Sequence, residues 1–158
     1  MKLRLAEARD LSAVEELTRR AYAHYRPLLG RDATPVNEDY RPRIQAGQVW
    51  LAEVESVPIG LIVLEEGGER LLIYSVAVDP ERQHGGLGRR LLDFAETTAR
   101  ARGKMALSLY TNARWQRNIE IYLRYGFVEI GRREVAGRPG VIAVDMEKSV
   151  AATPANEG

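Results

Sequence analysis

A strand that must stop at a proline, turn on glycines and restart as a helix fixes the layout of this chain. The segment is Tyr74-Ser75-Val76-Ala77-Val78-Asp79-Pro80, then Arg82-Gln83-His84-Gly85-Gly86-Leu87-Gly88-Arg89-Arg90. Three of the four positions from Gly85 to Gly88 are glycine, so backbone N–H groups can turn inward with no Cβ in the way. The helix start that follows adds partial positive charge. Together they form an anion cradle sized for a phosphate or pyrophosphate. The plainer reading is a tight strand-to-helix connection in which the glycines serve only to turn. Gln83 and the pair Arg89-Arg90 favour the cradle.

The pattern narrows the ligand. A P-loop requires Lys-Ser or Lys-Thr after the glycines, and neither follows here. The dinucleotide fingerprint G-x-G-x-x-G fails because Leu91 stands where the third glycine belongs. Gln83-x-x-Gly86-x-Gly88 does resemble the acyl-CoA-binding motif (Q/R-x-x-G-x-G/A) of the GNAT superfamily of N-acetyltransferases.

At 158 residues the chain is long enough for one domain with its own core. We expect that domain over 1–148, with a flexible tail over 149–158. No apolar run approaches the roughly 18 residues of a membrane span. The charged, alternating start Met1-Lys2-Leu3-Arg4-Leu5 is no secretory signal, so a cytoplasmic protein without membrane partners is expected. Cysteine is absent, which excludes disulfides, thiolate metal sites and a cysteine nucleophile. With only His24 and His84 a histidine zinc site is disfavoured too, and no metal is expected. A net charge of +1 gives no case for nucleic acid. The arginines alternate with acids along helices, the mark of a solvated face.

Taken in order, Leu3 and Leu5 alternate with Lys2 and Arg4 as a short first strand over 2–7. Asp10 or Ser12 can cap a helix over 11–25, Ser12 and Glu15 having capping-box spacing. Two prolines and a glycine make 26–35 a loop, and 36–46 reads as a short second helix interrupted or bent near Pro42. Tyr22, His24, Tyr25, Asp39 and Tyr40 gather around this loop, each more often packing or surface than function. As a group they are candidates for substrate contact, with Tyr22, Tyr25 and Asp39 foremost. Strands over 48–55, 57–65 and 70–78 form an antiparallel meander, turning at Glu55-Ser56 and at Glu66-Gly67-Gly68-Glu69. In the helix after the cradle Leu87, Leu91, Phe94, Ala95 and Thr98 share one face, and Gly103 ends it. A strand over 105–110 and a helix over 114–125 follow, the helix capped by Thr111 or Asn112. Its apolar side carries Trp115, Ile119, Tyr122 and Leu123. Two strands, to Arg133 and over 141–147, turn around Gly137-Arg138-Pro139-Gly140 and close the chain.

The order β-α-α-β-β-β-α-β-α-β-β matches the GNAT fold over nearly the whole chain. A second motif agrees: Asn118-x-x-x-Tyr122-x-x-x-Gly126-Phe127 resembles the family's later helix, which ends in Tyr-x-x-x-Gly-Phe. The resemblance implies an α/β (α+β) fold, a mixed sheet of about seven strands with four helices, splayed between strands four and five. It implies a pantetheine arm in that gap, bonded to the backbone of Val76 and Val78, and an N–H near Ala77 or Val78 polarising the thioester carbonyl. The pyrophosphate would rest on Gln83, His84, Gly85, Gly86, Leu87, Gly88 and Arg89, with Asn118 reaching the cofactor from across the cleft. Asn118 could equally cap or fill a polar gap.

Tyr122 is the candidate catalytic acid by the same resemblance. A thiol of pKa about 8.5 leaves more readily with a phenol of about 10 beside it. Tyr122 lies one turn past Asn118, so the two share a helix face; the plainer reading is a core tyrosine holding the helix on the sheet. The family's base is often a Glu on strand four or on strand five, and here the strand-five position is Tyr110. Tyr110 is therefore a further substrate-contact candidate. Glu65, Asp39, a water chain, or an amine that arrives neutral all remain open as the route for the proton. The missing strand-five Glu counts against the branch that acetylates ribosomal-protein N-termini. The expected activity is acetyl-CoA-dependent acetylation of a primary amine, on a small molecule or a protein N-terminus. The alternative is a non-catalytic acyl-CoA-binding module on the same fold. A homodimer is possible on the family's habit.

Overall fold

The computed structural model describes residues 1–29, 33–83 and 85–150. Among the described residues seven strands make one mixed sheet in the order β1-β2-β3-β4-β5-β7-β6. They are β1 (Lys2–Leu5), β2 (Val49–Val54), β3 (Val57–Gly67), β4 (Arg70–Val78), β5 (Ala106–Asn112), β6 (Val128–Glu134) and β7 (Ile142–Ser149). The α-helical segments are α1 (Leu11–Tyr22), α2 (Arg26–Leu29), α3 (Arg41–Gln45), α4 (Leu87–Ala101) and α5 (Gln116–Tyr125). Of these α2 is a single turn, and the other four are the helices expected. Packing divides the chain into two units, 1–64 with 74–92, and 65–73 with the chain from Asp93 onward. Among the described residues no helix is long and apolar enough to cross a membrane.

In the first unit, α1 buries Val14, Leu17 and Ala21 in one core with Tyr40, Ile44, Val49, Leu51, Leu61, Val63 and Ala77. The i, i+3, i+7 spacing of the three α1 residues puts them on one stripe, which is why this segment is helical. The β2–β3 hairpin turns through Glu55 (φ 51°) and Ser56 (φ 65°), both left-handed without being glycine. A two-residue turn of that hand matches the twist of its strands.

The segment after α1 departs from expectation. The helix expected over 11–25 is α-helical only to Tyr22, and Ala23–Tyr25 tighten into a 3-10 turn before α2. Where a loop was expected, α2 forms with Pro27 in its first turn, where a missing N–H breaks no helical bond. Residues 30–32 of that expected loop lie outside the described residues. The second helix expected over 36–46 is two pieces, a 3-10 turn at Thr34–Asn37 and α3. The interruption expected near Pro42 thus falls just before it, and Pro42, in the first turn of α3, starts a helix rather than bending one.

In the second unit, β4 and β5 pair in parallel, Arg70 to Leu72 against Ala106 to Ser108. β5 pairs β7 and β6 pairs β7, both antiparallel, with a bulge between Glu129 and Gly131. Leu107, Phe127, Val144 and Met146 are fully buried there. Three expectations shift. Asn112 ends β5 and its Oδ1 accepts the Arg114 N–H at 2.9 Å, so it shapes the turn before α5 rather than capping the helix, whose N-cap is Trp115. Leu123, placed on the apolar side by spacing, is 48% exposed. Strand β7 runs through Ser149, and buried Val150 donates its N–H to the Met105 carbonyl at 2.9 Å, so the frayed end expected from Ser149 does not begin there.

Candidate functional site

The cradle is built where β4 ends. Asp79 donates its N–H to the Ile59 carbonyl at 2.9 Å and accepts the Glu81 N–H on Oδ1 at 3.0 Å, capping a 3-10 turn at Pro80–Arg82. Arg20 of α1 closes on the same carboxylate with contacts of 3.1 and 3.3 Å. Asp79 is therefore spent on architecture: two anchors and a cap stop the strand where the turn must begin. The chain runs on through Gln83 and reaches Gly86 at φ +75°, a conformation glycine adopts freely. His84 lies outside the described residues.

Helix α4 is seated by Leu87 and Leu91, both buried. Gly60 of β3 makes the seat possible, because a Cβ there would stand 3.0 Å from Leu87 Cδ2 and 3.2 Å from the Ala77 carbonyl. The first helical bond of this turn runs from the Arg90 N–H to the Gly86 carbonyl at 3.2 Å. Leu87 and Gly88 precede it, and donors in a first turn have no helical acceptor. A Cβ at Gly86 or at Gly88 would meet nothing within 4 Å. These glycines are thus not forced by the protein's own packing at those points. They keep a surface open beside helix-end donors, which fits a phosphate ligand.

The candidates in the first unit fare differently. Val76 and Val78 are half-buried on β4, with Ala77 buried between them. Tyr22 turns its hydroxyl onto β4, 3.0 Å from Ser75 Oγ and 3.2 Å from the Val76 carbonyl. Tyr25 lies near it, the two tilted rings 5.9 Å apart, with the His24 ring 3.9 Å from that of Tyr25. Asp39 is held by Arg41, whose Nε lies 3.0 Å away, and the hydrogen bonds from Arg41 keep its carboxyl below the usual range. A carboxylate so occupied is a poor base. Tyr40, grouped with the substrate contacts by sequence, belongs to the core: it is 1% exposed, and its hydroxyl donates to the Pro35 carbonyl at 2.6 Å. Burial raises its phenol well above the ordinary value.

In the second unit, Asn118 and Tyr122 are both half-buried, four residues apart on α5. The helix ends in a Schellman cap. Phe127 N–H donates to the Tyr122 carbonyl at 3.0 Å, Gly126 N–H to that of Leu123 at 3.1 Å, and Gly126 has φ +117°. The Tyr122 and Phe127 rings meet edge-on at 5.8 Å, the hydrophobic contact that accompanies such a cap. The Tyr-x-x-x-Gly-Phe pattern is thus a helix terminator as well as a family signature. Tyr110 on β5 is 42% exposed, with the Arg133 guanidinium 5.1 Å from its ring centre.

Sequence reasoning missed two arrangements. One is the grip of α1 on β4 through Arg20 and Tyr22. The other joins Tyr125, whose single hydroxyl proton lies between Asp93 Oδ1 at 2.6 Å and Glu96 Oε2 at 3.1 Å, with Lys148, 2.7 Å from Glu96. Burial and those two carboxylates push the Tyr125 phenol far up. Helical spacing reveals which way Tyr22 and Tyr125 face, but not the strand residue or carboxylate each one reaches.

A mixed sheet with a parallel β4–β5 pair, and a strand that feeds a glycine turn and a helix start, define an α/β protein. The chain belongs to the acetyltransferase (GNAT) domain family, whose model matches residues 45–129, more than half of it. An IAA acetyltransferase of Azospirillum brasilense is 34% identical over 92 residues, spanning 58% of this chain and 60% of that protein. The fold is shared with the ribosomal-protein-S18-alanine N-acetyltransferase of Escherichia coli, at 22% identity and a TM-score of 0.76, covering 98% of this chain and 97% of that one. It is shared as well with the PaiA N-acetyltransferase of Thermoplasma acidophilum, solved with coenzyme A, at 21% identity and a TM-score of 0.76 over 94% and 98% of the two chains.

Proposed function

We propose that this protein transfers an acetyl group from acetyl-CoA directly to a primary amine, on a small molecule or a protein N-terminus. The observation that carries this is the route of β4 through the Asp79 cap and Gly86 into α4, beside open space at Gly86 and Gly88. Family membership supports it, as do the N-acetyltransferase activities named for the Escherichia coli and Thermoplasma proteins and the coenzyme A bound to the latter. A fold alone would not, since one fold hosts many chemistries.

Acetyl-CoA supplies a thioester-activated acetyl group. The backbone of Val76 and Val78 pairs with the pantetheine amides as an added strand would. An N–H near Ala77 or Val78 donates to the thioester oxygen, where negative charge develops as the amine attacks. The N–H groups from Gln83 to Arg89 hold the pyrophosphate. Asn118 contacts the cofactor, and the Tyr122 hydroxyl gives its proton to the departing sulfur. With Asp39 committed to Arg41, the amine attacks in its neutral form, its nitrogen then loses a proton to water or Glu65 as the C–S bond breaks, and the Tyr122 phenolate regains a proton from water.

Calorimetric titration with acetyl-CoA, NAD and ATP in parallel tests the cradle. Micromolar affinity for acetyl-CoA alone, about −8 kcal/mol, is expected. Thiol release from acetyl-CoA in the presence of a panel of primary amines then tests transfer. An absence of acetyl-CoA binding would reduce the glycine turn to a connection and remove the enzyme reading with it.

A further inference from the structure

The last turn of α1 holds the end of β4 at two points. Arg20 binds Asp79, and two residues on, Tyr22 meets Ser75 and Val76. The second contact has only one consistent direction. A carbonyl can only accept, so the Tyr22 hydroxyl donates its single proton to Val76, and Ser75 must then donate to Tyr22. Ser75 is 3% exposed, in a strand position whose neighbours on the same face, Ile73 and Ala77, are apolar and buried. An apolar residue would suit that place better unless the hydroxyl had a partner. The partner is Tyr22, whose ring lies against the apolar core of the first unit.

The chain Ser75 to Tyr22 to Val76 therefore ends on a backbone carbonyl of the strand segment that the proposed function assigns to pantetheine. A carbonyl oxygen has two lone pairs, so Val76 can accept from Tyr22 and from a ligand amide together. We propose that Tyr22 is a positioning residue for acyl-CoA: by fixing the Val76 peptide it sets the carbonyl that receives the pantetheine N–H. The inference rests on the acetyl-CoA reading and adds to it the residue that aims the strand. Tyr22 acts through Val76, not on the reacting atoms.

The test is calorimetry on the wild type, Tyr22→Phe, Ser75→Ala and Ser75→Thr, with two probes. Acetyl-CoA carries pantetheine; adenosine 3′,5′-bisphosphate carries the nucleotide end without it. Tyr22→Phe should weaken acetyl-CoA binding about fivefold, the scale of one lost hydrogen bond, and leave the bisphosphate unchanged. Ser75→Ala should act in the same direction, and Ser75→Thr, which keeps the hydroxyl, should restore affinity. Ser75→Ala also stands in for Tyr22→Phe should that variant fail to fold. Unchanged or tighter acetyl-CoA binding in Tyr22→Phe and Ser75→Ala would overturn the role. So would an equal loss for both probes, which marks a general disturbance. If the wild type binds acetyl-CoA and Tyr22→Phe matches it, only the positioning role falls. If the wild type does not bind acetyl-CoA, the acetyl-CoA reading falls as well.

Discussion

A Cβ built on Gly126 would stand 2.8 Å from Cε of Lys148. The lysine stem crosses over the glycine on its way to Glu96, where its ammonium sits 2.7 Å from Oε1. Gly126 therefore serves twice, as the left-handed residue that ends α5 at φ +117° and as the bare spot that lets Lys148 pass. Gly126→Ala should cost about 1–3 kcal/mol from the backbone conformation alone, with the displaced lysine in addition. Adding Lys148→Ala should relieve the clash and leave the conformational part, so the double variant recovers stability only partially relative to Lys148→Ala. Urea denaturation reads both, and full recovery would show that φ contributes nothing.

Gly86 and Gly88 separate turning from binding. Gly86 has φ +75° and open space around its Cβ position, so Gly86→Ala should lose about 1 kcal/mol through conformation. Gly88 lies within α4 in equally open space, and Gly88→Ala should gain up to about 1 kcal/mol from helix propensity. A bulkier Gly88→Val should keep the fold while obstructing approach to the α4 amides, so acetyl-CoA affinity should fall at least tenfold. A folded Gly88→Val protein with wild-type affinity would mean that no ligand comes close to this turn.

Tyr122→Phe removes one oxygen and keeps the ring that packs on Phe127 at 5.8 Å. The Schellman bonds use backbone atoms, so the helix end survives. If the hydroxyl protonates the leaving thiolate, turnover should drop about 10²-fold, the scale of general-acid catalysis. Acetyl-CoA affinity should stay within about twofold of the wild type. Thiol-release kinetics beside calorimetry separate the two, and unaltered turnover would leave Tyr122 as a packing residue only.

What could be read without coordinates was whatever a local pattern controls. The meander, the proline stop after Val78 and the glycine turn into α4 each depend on residues within a few positions. So does the Tyr122 to Phe127 terminator, whose spacing is that of a helix cap. What escaped was long-range or compensated. Tyr22 and Ser75 are 53 residues apart and meet through one hydroxyl, which no periodicity encodes. Tyr40 looked like surface chemistry beside a loop, yet it is core because its hydroxyl finds the Pro35 carbonyl. Pro27 and Pro42 were read as breaks, although proline is at home in a first helical turn.

The β2–β3 turn leaves stability unclaimed. Glu55 and Ser56 sit at φ 51° and 65°, where Asn-Gly is strongly preferred. Glu55→Asn with Ser56→Gly should stabilise the protein by about 0.5–2 kcal/mol. The turn lies at the far end of β3 from the hairpin that leads into β4, so acetyl-CoA binding should be unaffected. A thermal melt checks this directly, and a lower melting temperature would argue that Glu55 makes a contact that outweighs the strain.

Acid sensitivity should be concentrated at Arg4. Its guanidinium donates to Asp10 at 2.8 and 2.9 Å and to Glu53 at 2.8 Å, and the Glu7 N–H adds a bond to Asp10 at 2.7 Å. The Arg4 hydrogen bond is the main reason the Asp10 carboxyl is held down to about 2. A folded-state value below the unfolded one means that Asp10 contributes stability above about pH 4. That contribution, roughly 2 kcal/mol, is lost as pH falls toward 2. Wild-type stability should accordingly decline between about pH 4 and pH 2. Asp10→Asn should be weaker at pH 7 by a similar amount and should decline less steeply over the same interval, because its share of the acid transition is already gone. Urea midpoints across pH 2–7 for both proteins measure the difference, and parallel curves would place the acid-labile carboxylate elsewhere.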